Sequence, residues 1–68
     1  MNNWAKLYTT GNYTEANIIK GMLEENSIEV VLMNKLDSSY QTFGDIELYV
    51  RRSFMSIAIN LVNRSLMN

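Results

Sequence analysis

What most constrains this chain is the order in which two hydrophobic periods alternate along it. Trp4 to Thr10, WAKLYTT, alternates with a period of two, setting Ala5, Leu7 and Thr9 on one side and Trp4, Lys6, Tyr8 and Thr10 on the other. That is the pattern of a half-buried strand. The next stretch runs at the helical period, with Ala16, Ile18, Ile19, Met22 and Leu23 on one side and Asn17, Lys20, Gly21, Glu24 and Glu25 on the other. Period two returns twice, at Ile28 to Met33 and at Ile46 to Arg51, with Ile28, Val30 and Leu32, then Ile46, Leu48 and Val50, directed inward. A second helical stripe follows, made of Phe54, Ile57, Ala58, Leu61 and Val62 and widened by Met55, Ile59 and Leu66.

Local signals place the boundaries. Gly11 ends the first strand, and Asn12 has the side chain of a helix N-cap, with Glu15 three residues on to complete a capping box. The first helix is predicted from Tyr13 to about Asn26, where Asn26-Ser27 stops it. Ser53 is the expected cap of a second helix, Phe54 to about Leu66. The order is βαββα, a single domain over residues 1–68. A right-handed crossover between the first two strands leaves room for the third to insert antiparallel between them. The fold class is therefore α+β, a split βαβ of ferredoxin-like form with its fourth strand missing. Its three-stranded antiparallel or mixed sheet has order 1-3-2, with two helices on one face. Strand 1 is then an open edge on which a second copy, or a partner's segment, can complete the sheet.

Composition narrows the function. A domain of 68 residues buries only about 60% of the surface of its unfolded chain. Cysteine is absent, so there are no disulfide or thiolate-metal staples, and self-association is one remaining source of buried surface. Histidine is absent too, which removes the commonest general base and zinc ligand. No convergent catalytic set remains, and the chain is expected to be non-enzymatic and without a cofactor. A net charge of −1 and a pI near 5.1 give no field that draws phosphate backbones. The start MNNWAKLY has no secretory pattern and the apolar runs are short, so the expected setting is the cytoplasm, with no membrane.

Three places invite a partner. Glu15 carries a charge within the span of the first helix's apolar stripe; a capping box accounts for it, and a carboxylate receiving a cationic or amine-bearing ligand is the functional alternative. The outward sheet face, with Trp4, Lys6, Tyr8, Glu29, Val31, Met33, Glu47, Tyr49 and Arg51, is too apolar for open water, and its Trp4, Tyr8, Val31, Met33 and Tyr49 form a candidate interface for a dimer or higher homo-oligomer. The link from Asn34 to Asp45, NKLDSSYQTFGD, is about a dozen residues where hairpin loops usually have two to five. Its Tyr40 and Phe43 either cap the sheet or anchor a partner, with Asp37 and Asp45 beside them. A calcium loop needs regularly alternating oxygen ligands and a glycine at its sixth position, which KLDSSYQTFG does not supply, so no metal is expected. A base-stacking role for Tyr8 and Tyr49 needs a glycine and a second aromatic that DIELYVRR lacks, so no nucleic acid is expected either.

LYTTGNYTEANIIKGMLEENSIEVVLMN, continued by DIELYV, resembles a family of small bacterial domains described as putative prokaryotic signal-transducing proteins. The likeness rests on Glu15-Ala16 near the start of the helix, Leu23-Glu24 near its end, Ser27-Ile28-Glu29-Val30 at the next strand, and the I-x-L-x-V run of Ile46, Leu48 and Val50. Two features depart from the family's pattern: Tyr13 stands where many relatives have proline, and Arg51-Arg52 with an apolar second helix replace a more acidic segment. The resemblance implies a ferredoxin-like domain akin to those of PII-type regulators, whose recognition loop lies between the second and third strands. The expectation is thus a signalling or regulatory module that binds a small metabolite or a protein segment through residues 34–45 and the adjoining strand ends. The alternative is a structural interaction module acting through the outer sheet face and the open edge of strand 1.

Overall fold

A computed structural model describes residues 3–34 and 46–66. The elements run β1 (Trp4–Thr10), α1 (Tyr13–Glu25), β2 (Val30–Asn34), β3 (Ile46–Arg51), a 3-10 turn (Arg52–Phe54) and α2 (Met55–Leu66). β3 lies in the middle of one sheet of order β1-β3-β2 and pairs antiparallel with both neighbours. The expected α+β order and strand arrangement are therefore those of the molecule.

The core is where the two periods meet. Ile46, Leu48 and Val50 of β3 project to one face and pack with Val30 of β2, with Ala16, Ile19 and Leu23 of α1, and with Ala58 and Val62 of α2. Both helices thus cover the same face, α1 mainly over β2 and β3, α2 over β1 and β3. The stripes are narrower than the sequence pattern implied. Ile18, counted above with the apolar side of α1, is 61% exposed, and Ile57, counted with the stripe of α2, is 53% exposed. Each stands about 100° around its helix from a buried neighbour, Ile19 and Ala58 respectively, at ~3.6 residues per turn.

The end of α1 explains why β2 starts two residues later than expected. The Ile28 N–H donates to the Leu23 carbonyl and the Ser27 N–H to the Glu24 carbonyl, both at 3.0 Å. Ser27 adopts a left-handed φ of 65°. This is a Schellman cap, in which the residue after the left-handed one folds back onto the last turn. Ile28, buried beside Leu23, is held by the helix and begins no strand. At the second helix the chain leaves β3 directly into the 3-10 turn, whose cap residue Arg51 makes no side-chain capping bond. Ser53 lies inside that turn and does not cap α2.

β1 departs from strict alternation. Lys6 faces Tyr49 of β3, but Tyr8 faces Leu48, the very next residue, so Leu7 is an extra residue in a β-bulge. Opposed residues of an antiparallel pair share a face, so the side chains beyond Leu7 exchange faces. Tyr8 opposes the core residue Leu48 and Thr10 opposes the core residue Ile46. The placement of Tyr8 on the outer face is thereby corrected: it packs against the core, on the helix side of the sheet.

Candidate functional site

Two polar arrangements are built on this frame. The first joins the end of β1 to the start of α1. The Asn12 side chain accepts from the Glu15 N–H at 3.0 Å, as expected of an N-cap. The return half of the capping box takes another route. The Thr10 hydroxyl donates to Glu15 Oε1 at 2.7 Å and accepts from the Asn12 N–H at 3.0 Å. Glu15 therefore reaches Asn12 through Thr10, whose side chain the bulge has turned inward and which is only 8% exposed. Burial first, and then the Glu15 carboxylate beside it, push the Tyr8 hydroxyl above its usual pKa of 10.0. The apparently misplaced charge of Glu15 is accounted for by this relay.

The second arrangement covers the outer sheet face, opposite the helices. Arg51, paired across the strands with Trp4, lays its guanidinium over the indole at 4.6 Å from the ring centroid. The same guanidinium reaches Glu29 Oε1 at 3.4 Å. The cation–π contact links Arg51 of β3 to Trp4 of β1, and the exposed ion pair with Glu29, just before β2, adds a weaker second partner. Beside it, Glu47 accepts from Tyr49 at 2.8 Å through Oε1 and from Lys6 at 3.3 Å through Oε2. Glu47 is 8% exposed although it lies on the face away from the helices. A covered carboxylate needs such donors, because burial without them costs several kcal/mol (about 2–7 for an unpaired polar group). Val31 opposes Tyr49, and Met33 opposes Glu47; Val31 is half-buried and Met33 exposed.

Of the residues singled out in the sequence, Trp4, Val31, Met33 and Tyr49 come together on this face, while Tyr8 and Glu15 belong to the relay on the other. Asp37, Tyr40, Phe43 and Asp45 lie outside the described residues. The sequence pattern placed Lys6, Glu29, Glu47 and Arg51 on the outer face with the apolar members but did not foresee how they pair. Opposite charges at outward positions of neighbouring strands were the available signal. Among the described residues no group of histidine, cysteine or acidic side chains could hold a metal ion. No helix among them is long and apolar enough to cross a membrane.

Residues 4–64 match the model of a family described as putative prokaryotic signal transducing protein. No curated protein and no solved structure matches the chain.

Proposed function

The chain belongs to the putative prokaryotic signal transducing protein family, and from that footing we propose that it is a non-enzymatic recognition module of the cytoplasm that binds a protein segment on its outer sheet face. One observation carries this reading. The face that neither helix covers gathers Trp4, Val31, Met33 and Tyr49 around side chains already held in place, Arg51 by Glu29 and Trp4, Glu47 by Lys6 and Tyr49. Side chains fixed before binding lose little freedom on binding, so such a surface recognises a partner at lower entropic cost than a loose one. Trp and Arg are also the residues that most often dominate binding energy at interfaces. The matching partner is a segment with apolar anchors for Val31 and Met33 and a polar group that reaches Arg51.

A photo-reactive side chain placed at Val31, in cells of the native host, tests this, with the same group at Ile57 on the exposed flank of α2 as the comparison. The expected result is one discrete adduct from position 31, lost when Trp4→Ala is added, and none from position 57. Adducts from position 57 alone, or none from either, would overturn the reading. Saturable amide shifts on adding nucleotides or common metabolites, without any protein adduct, would point instead to a small-molecule sensor.

A further inference from the structure

The two edges of the sheet are not alike, and their difference selects one of them for assembly. β1 carries the bulge at Leu7 and the exposed cation Lys6, two devices that keep a strand edge from pairing with another chain. β2 carries neither. It follows β3 without interruption from Val30↔Val50 to Asn34↔Ile46, and its sequence VVLMN has no charge, proline or glycine. Leu32, an inward residue opposite the fully buried Leu48, is itself only half-buried, as is Val31, and Met33 is 37% exposed. The apolar side chains of β2 are thus incompletely covered by the other described residues.

We infer that β2 pairs antiparallel with β2 of a second copy of this chain, joining two three-stranded sheets into one of six strands. The occupant follows from self-complementarity. A two-fold axis at Leu32 sets Leu32 against Leu32 and Val31 against Met33 of the second copy, twice, with no charge inside the strand to repel its equal. Such an isologous contact is the commonest form of self-assembly. It also keeps both helix layers on one side of the sheet, so both outer faces join into one. A strand pair alone falls short of the about 800 Å² per partner typical of stable interfaces, so the dimer forms at high protein concentration and dissociates on dilution. The inference is independent of partner recognition on the outer face and is tested with the purified chain alone.

The test is a sedimentation-velocity series from micromolar to millimolar protein on the wild type, Met33→Lys and Thr9→Lys, the last placing a charge on the β1 edge. The wild type is expected to shift from monomer to dimer. Met33→Lys, with an unchanged circular dichroism spectrum, should weaken association about tenfold or more, equivalent to about 1.4 kcal/mol, and Thr9→Lys should leave it unchanged. A wild type that stays monomeric throughout, or a dimer lost in Thr9→Lys but kept in Met33→Lys, would overturn the inference. Should Met33→Lys fail to fold, a mixture of differently isotope-labelled wild-type chains decides. Contacts between the methyl groups of Val31 and Met33 on different chains support the pairing, and their absence from a dimeric sample refutes it.

Discussion

Ser27 is the one described non-glycine residue with positive φ, at 65°, a conformation that costs an L-residue roughly 1–2 kcal/mol. Glycine removes that cost but adds freedom to the unfolded chain, worth about 0.4–1 kcal/mol. Ser27→Gly should therefore stabilise the protein by about 0.5 kcal/mol, read as a higher urea midpoint with an unchanged slope. The relay at Thr10 is less tolerant. Thr10→Val keeps the shape but leaves the Asn12 N–H and the Glu15 carboxylate without this partner, so a loss of about 1–3 kcal/mol is expected in the same measurement. Tyr8 gives a pH signature. Because its hydroxyl is held above 10.0, the fold favours the protonated form. Its contribution is complete below that pH and is lost as pH rises through the raised value. The stability difference between wild type and Tyr8→Phe should be flat up to pH 10 and change only above it, in the wild type's disfavour. At this scale the N-cap was legible in the sequence, because Asn12 and Glu15 act over three residues. The detour through Thr10 was not, since it depends on which face of a strand a side chain reaches.

The strands and helices themselves followed from their periods, and the errors lie where an element is interrupted. WAKLYTT reads as unbroken alternation, yet Leu7 and Tyr8 are adjacent large apolar residues in an edge strand, and both contact the core. That doublet was the only trace of the bulge. Likewise Ile28 continues the alternation of Val30 and Leu32, but helix capping claims it first. A deletion tests the bulge directly. Removing Leu7 leaves Lys6 opposite Tyr49 and Tyr8 opposite Leu48, so every other side chain keeps its face. The shortened chain should retain the wild-type cross-strand contacts by NMR at a cost of at most about 3 kcal/mol for the lost side-chain burial. A strand whose faces invert on deletion would show that Leu7 is an ordinary member of the ladder.

The whole molecule has little reserve. At about 0.05–0.15 kcal/mol per residue, a chain of 68 residues is stable by roughly 3–10 kcal/mol. Leu48, fully buried at the centre of the middle strand, should cost about 2–5 kcal/mol when cut to alanine. Leu48→Ala is expected to lose its cooperative thermal transition or to melt far below the wild type. The middle position of β3 that makes Leu48 so costly also sets an order in time. Among the described residues the strand neighbour of β1 is β3, so Trp4 pairs across with Arg51, which follows it in the chain only after α1, β2 and the rest of β3. During synthesis β1 emerges first, while α1, with a cap at each end drawn from neighbouring residues, can form as soon as it appears. β1 has no ladder to join until β3 has left the ribosome. In that interval the bulge, which arises only on pairing with β3, does not yet exist, and the charge of Lys6 is what discourages β1 from pairing with another chain.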